Sequence, residues 1–213
     1  MGIRRSALLG PTAIVVLYLF ILAAVTLSPW FSWWDNALSD LGNVYTSPAA
    51  AVFNVGLLLA GFLTISYAVV ALRRFAPHTS WFLAITGFSL QLVGGLNETY
   101  GNLHFDVSAL LFLSLLASSL VYFMEKRSYI ALLAPAGIMP WAMFFGHLFF
   151  VGAALPEMIS SFVVVPWILS SAMAVYRKGG AMTTPPGISL CRRPLRPLTP
   201  PPARHPRLHS RSI

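Results

Sequence analysis

Two histidines, His104 and His147, fall within the long apolar runs of this chain, and Asp40, Glu98, Asp106 and Glu157 stand close to the ends of such runs. Imidazole and carboxylate are the side chains that bind a divalent metal or relay a proton where thiolates are missing. The only cysteine, Cys191, sits far away in the C-terminal segment, so neither a thiolate cage nor an intramolecular disulfide can form. His104 lies near an expected helix N-terminus, where the helix dipole disfavours imidazolium, and neutral imidazole is the metal-binding form. With His147 and one or two of the four carboxylates it would complete a tetrahedral site, open at one position for water. His104, His147, Glu98 and Asp40 are the candidate ligands, and zinc is a fitting ion.

Other polar residues accompany them at the same depth. Gly87, Gln91, Gly94 and Glu98 form one helical stripe, and Asn54, Gly61 and Thr64 form another. Ser39 with Asp40, Asn97 with Glu98, His104 with Ser108, and Glu157 with Ser160 and Ser161 extend the set. Ionisable and amide groups inside a membrane span are costly and by default face the bundle interior, where they mark a site. Each also has a purely structural reading. Asp106 and Glu157 occupy first helical turns, where a carboxylate complements the dipole, and Pro156 suits the first helical position. Amides and hydroxyls bridge helices, and glycines let them approach.

The elements that carry these residues are read from composition. The chain has 213 residues, 57% of them hydrophobic and 9% charged, a balance for lipid rather than water. Apolar runs at about 7–27, 49–72, 79–97, 103–124, 128–155 and 156–176 are each long enough for a hydrocarbon core of about 30 Å. The expected fold is all-α, a polytopic membrane bundle of six transmembrane helices. Pro135, Pro140 and Pro166 should kink the last two. Arg4, Arg5, Arg73, Arg74, Lys126, Arg127, Arg177 and Lys178 all fall on the side of the termini, whereas five of the six acids fall opposite. The positive-inside rule then places the protein in the cell membrane with both termini cytoplasmic. The charge of +8 reflects this topology, and nucleic acid is not an expected partner.

Residues 1–178 thus form the membrane domain. The segment 179–213 holds eight prolines and six arginines without an acid, and reads as a disordered cytoplasmic tail. Its arginines would form a basic strip on anionic headgroups, but prolines offer no insertion face, and an extension without such contact is the favoured reading.

Between the first two spans lies Trp33-Trp34-Asp35-Asn36-Ala37-Leu38-Ser39-Asp40-Leu41-Gly42-Asn43. Ser32 with Asp35 matches a capping box and Gly42 a helix stop, so a short interfacial helix is expected, with Trp34, Ala37, Leu38 and Leu41 on one face. The stretch 34–42, the pair Phe53-Asn54, and Asn97-Glu98 followed by Gly101 and His104 resemble a family of prokaryotic six-span membrane proteins, the domain-of-unknown-function 998 family. The resemblance covers about residues 7–176 and implies fold and topology, with no activity attached. The scattered Ser, Asp and His are also loosely similar to the intramembrane hydrolases that include alkaline ceramidases, which use three histidines where this chain has two in its core.

Two functional classes follow. One is a non-catalytic carrier, sensor or assembly partner with a polar cavity in the outer leaflet. The alternative is a metal-dependent hydrolase of a lipid or lipid-linked substrate. No nucleophile elbow, His-Glu-x-x-His helix or phosphate-binding glycine loop is present, so the non-catalytic class is the expectation.

Overall fold

The computed structural model describes residues 3–148 and 151–181. It is helical throughout, with no strand among the described residues. Helices α1 (Ile3–Ala7) and α2 (Leu9–Thr26) form the first rod, and α3 (Ala50–Ser66) continues through a π turn at Tyr67–Ala71 and a 3-10 turn at Leu72–Arg74. Then come α4 (Pro77–Gly95), α5 (Asn102–Lys126), a 3-10 stretch Tyr129–Gly137 leading into α6 (Ile138–Phe145), α7 (Ala154–Phe162) and α8 (Val165–Ala181). Among the described residues, four stretches are long and apolar enough to cross a membrane: Arg4–Thr26, Ala50–Arg74, Asn102–Lys126 and Ala154–Lys178. The expected tail and Cys191 lie outside the described residues, and α8 runs to Ala181, past the expected boundary at residue 178.

The remaining two elements depart from that description for separate reasons. Helix α4 is long but dilute in apolar residues, because its packed face carries Thr79, Ser80, Thr86, Gly87, Ser89 and Gly94. Its other face exposes Trp81, Ile85 and Phe88, spaced for one side of a helix. Small residues there permit tight packing on α3. A Cβ on Gly61 would stand 2.5 Å from the Gly87 carbonyl oxygen, and one on Gly87 2.8 Å from that of Gly61, so backbone meets backbone at this crossing.

The element from Tyr129 to Phe145 is shorter than expected. Pro135 lies in its 3-10 half, and the helix ends at Phe145, where Gly146 and a left-handed His147 (φ 53°) turn the chain away. The expected span thus closes about three turns early. Pro166 acts as predicted in a different form: the helix breaks at Val163 and Val164, and the proline begins α8 where its missing N–H costs nothing.

Contacts at the two ends of the bundle fix how the rods return. At one end Arg4 stands 5.1 Å over the Tyr176 ring, Lys126 and Lys178 both lie over Phe75, and Glu125 binds the backbone of His78 and Thr79. At the other end Leu38 bonds Glu157, Asn43 bonds Glu98, and Gly152 bonds Trp34. Two buried cores correspond to these ends. One gathers Tyr67, Leu72, Leu83, Tyr122 and Trp167, the other Ile21, Leu38, Leu41, Phe53, Leu57 and Val93. Where they meet, a cavity of about 140 Å³ remains, touched by residues of both.

Candidate functional site

The loop from Ser28 to Asn43 folds over the end of the bundle opposite the basic residues. Its first half is tied by local bonds: Ser32 N–H donates to Asn36 Oδ1 (2.8 Å), and the Ser32 hydroxyl donates to Asp35 Oδ2 (2.6 Å). Ser32 and Asp35 therefore bind one another instead of capping a helix, and the extended Ala37 (φ −95°, ψ 154°) breaks any run through them. The expected interfacial helix shrinks to the 3-10 turn Leu38–Gly42, with Leu38 and Leu41 buried while Trp34 is 60% exposed. Asp40 Oδ2 accepts from Ala37 N–H (2.9 Å), and Asn54 Nδ2 donates to Gly42 O (2.9 Å), pinning both ends of the turn.

This pinned turn brings carboxylates from three parts of the chain together. Glu157, in the first turn of α7, accepts the Leu38 N–H at 2.7 Å through Oε2. Glu98 Oε2 accepts from Asn43 Nδ2 at 3.1 Å, and the Glu98 carboxyl lies against that of Asp40. Burial pushes the Glu98 carboxyl above the ordinary carboxylate range; Asn43 works against this shift and Asp40 adds to it. Both Asp40 and Glu98 also stand within electrostatic reach of Glu157.

His104 stands beside them, 8% exposed in the first turn of α5. Its Nδ1 lies 2.6 Å from the Leu96 carbonyl oxygen, which can only accept, so Nδ1 carries the proton. In the neutral ring Nε2 is then the acceptor, facing the Ser108 hydroxyl at 3.5 Å.

A groove of about 730 Å³ opens next to these groups, between α5 and the run from Ala134 to Phe145. Ser39, Glu98, His104, Ser108, Glu157 and Ser160 line it, together with Phe105, Phe112, Trp141, Phe144 and Phe145. The aromatic side packs edge to face, with Phe112 and Trp141 centroids 5.2 Å apart. Phe105, Leu113, Ile138 and Phe145 are lining residues that are also exposed, so the groove opens sideways on the apolar surface. Ser39, Ser108 and Glu157 line the smaller cavity as well and, with Phe112, Leu115 and Val164, form the wall shared by both spaces. Among the described residues no lysine or arginine lines either one.

A model of the family described as protein of unknown function (DUF998) matches residues 11–174. The chain belongs to the DUF998 family. The matched region holds every groove residue of this DUF998 chain and leaves out the C-terminal segment. No curated protein and no solved structure matches the chain. Its apolar helices are those of a membrane-embedded protein.

Of the residues singled out in the sequence, Ser39, Glu98, His104, Ser108 and Glu157 meet at the groove, and Asp40 adjoins it. Three others serve elsewhere. Asn54 fastens the turn, Gln91 Nε2 donates to Leu58 O across the α3–α4 crossing (3.3 Å), and Asn97 Oδ1 accepts from Thr99 N–H at the 3-10 turn Glu98–Tyr100. His147 is exposed beyond the end of α6 and lines neither space. Among the described residues no three His, Cys, Asp or Glu side chains converge as a metal cage requires. Sequence reasoning missed the aromatic wall, above all Trp141, whose buried Nε1 has no hydrogen-bond partner among the described residues. Its signal was there in the dense spacing of Trp141, Phe144 and Phe145.

Proposed function

We propose that this DUF998 protein crosses the cell membrane six times, with both termini cytoplasmic, and binds an amphiphile with a positively charged head in its lateral groove, as a carrier or sensor. The topology draws support from the contacts at the two bundle ends. Arg4 with Tyr176, and Lys126 and Lys178 with Phe75, bring residues near the start, the middle and the end of the helical region to one side. Three helical hairpins satisfy that arrangement, with α4 and the Tyr129–Phe145 element as the additional crossings. The basic residues mark that side as cytoplasmic.

The observation that carries the binding reading is the groove's division into a carboxylate end and an aromatic wall. An alkyl chain placed along Phe112, Leu116 and Phe145 would leave water-poor lipid for an equally apolar wall, so affinity must come from the head. At that end Glu98 and Glu157 face the space, and among the described residues no cationic side chain lines it. A cationic head would draw out the ionised form of Glu98 that burial disfavours, and the aromatic rings favour cations over their faces. With Nδ1 held by the Leu96 carbonyl, His104 turns Nε2 toward the groove side, beside Ser108.

The test is binding of a long-chain alkyltrimethylammonium probe to the purified protein in neutral detergent, against an alkyl sulfonate of the same chain length. The cationic probe should bind at least roughly ten-fold more tightly, about 1.4 kcal/mol, and Glu157→Gln should remove that preference. Equal binding of both probes, or an unchanged preference in Glu157→Gln, would refute the assignment.

A further inference from the structure

Phe75 lies just after the pair Arg73-Arg74, in the connection that leads to α4, and two ammonium groups converge on its ring. Lys126 Nζ, from the last turn of α5, is 4.4 Å from the ring centroid, and Lys178 Nζ, from α8, is 4.9 Å away. The ring's negative face attracts each of them, which explains why both are drawn to it. It does not neutralise them. Two like charges held around one ring repel, and a carboxylate between them would offset that repulsion.

None does so here. Glu125 is the one acid at this end of the bundle, and its carboxylate is taken up by the N–H groups of His78 and Thr79 and by the Thr79 hydroxyl. Among the described residues neither ammonium has an ion-pair partner, and the sequence from 179 onward contains no Asp or Glu. Among the described residues, then, no acid of the chain serves these two ammonium groups. Lysine ammonium is a compact charge with N–H donors and no acceptor, which matches phosphate oxygens.

We propose that Lys126 and Lys178, with Phe75 between them, form a binding site for the phosphate group of an anionic phospholipid in the leaflet on this side of the bundle. The lipid clamps the end of α5 to the end of α8 through one headgroup, and the Phe75 ring forms the apolar floor where glycerol and acyl carbons begin. Free phosphate shares the oxygen chemistry but has no apolar part to place on Phe75. This site is independent of the groove, which lies at the opposite end.

The experiment uses the full chain in neutral detergent. Bound lipid is counted by native mass spectrometry during titration with phosphatidylglycerol, with phosphatidylcholine of the same acyl chains, and with inorganic phosphate as competitor. Phosphatidylglycerol should bind roughly ten-fold or more tightly than phosphatidylcholine. The double variant Lys126→Gln, Lys178→Gln should lose that preference. Lys126→Arg with Lys178→Arg should keep most of it, which also guards against a folding defect in the Gln variant. A second double variant, Arg5→Gln with Arg177→Gln, removes the same charge from the same end and should leave the preference within about two-fold. The proposal is overturned if the arginine and lysine Gln variants lose affinity equally, since the attraction is then a diffuse field. It is also overturned if inorganic phosphate displaces the lipid at equal concentration, or if the two lipids bind alike.

Discussion

Glu125, in the last turn of α5, holds the N-terminus of the neighbouring helix α4 through Thr79, taking its backbone N–H at 2.9 Å and its hydroxyl at 2.5 Å. The first turn of a helix leaves four N–H groups without intrahelical partners. Ordinarily the residue just before the helix supplies an acceptor, but Ala76 cannot. A carboxylate from another helix takes its place, also binding His78 N–H at 3.0 Å, and it complements the positive end of the α4 dipole.

Replacing Glu125 by Ala strands these donors at a site where Thr79 is fully buried. The expected loss is about 1–3 kcal/mol, read as a lower midpoint of thermal unfolding in detergent. Thr79→Val, which removes the hydroxyl bond alone, should lose less. An unchanged midpoint in Glu125→Ala would show that solvent or lipid headgroups cap α4 equally well.

The crossing of α3 on α4 offers a second measurement. A methyl group on Gly61 or Gly87 meets backbone that no rotamer change can move aside, so Gly87→Ala should destabilise by about 1–3 kcal/mol. A methyl group on Gly95, at the end of the same helix, would meet nothing within 4 Å, and Gly95→Ala should be neutral or slightly stabilising. Equal effects of the two substitutions would mean that helix propensity, and not the crossing, sets the cost.

Glu98 gives a pH dependence with a definite sign. Its carboxyl is raised above the ordinary value of 4.5 by burial, with Asp40 and Glu157 the acids that face it and Asn43 the donor that opposes the shift. A raised acid favours the folded state most at low pH, below its unfolded value, and that contribution disappears as pH rises through the folded value. Unfolding midpoints should therefore fall from about pH 4.5 upward by more in the wild type than in Glu98→Gln. Parallel curves for the two proteins would remove Glu98 as the source.

The proposed topology places Tyr45 and Tyr100, both well exposed, outside the cell. In a Cys191→Ser background, Tyr45→Cys and Tyr100→Cys should react with an impermeant thiol reagent on intact cells, whereas wild-type Cys191 should react only after lysis. Labelling of Cys191 with protection of both introduced cysteines reverses the orientation.

Much of this arrangement was legible from residue types. The stripe through Gly87 and Gly94 marks the packed face of α4, and Glu98, His104 and Glu157 were recognisable as groups that lipid would not tolerate. What the residues do not carry is tertiary pairing. Nothing local announces that Gly152 N–H will bond Trp34 O and Ala154 N–H will bond Asn36 O. That pairing draws the chain after α6 back under the loop and leaves His147 outside. The interfacial helix failed for a related reason, since Ser32 found its partner in Asp35 rather than in a helix N–H. Glu125 was readable in retrospect, as the single acid on the basic side, next to Pro77 at the start of a helix with no cap of its own.

The cavity of about 140 Å³ between the two cores has an energetic meaning beyond its volume. The groups that fasten one end, Glu125 with Thr79, share no partner with those that fasten the other, Glu157 with Leu38. Packed side chains transmit strain because no space lies between them, and at mid-depth this bundle has space. Losses inflicted at the two ends should therefore sum, with an interaction energy inside the roughly 0.3–0.5 kcal/mol expected of independent sites. On that expectation the bundle would act as two fastenings in series, and a double substitution, one at each end, is the measurement that checks it.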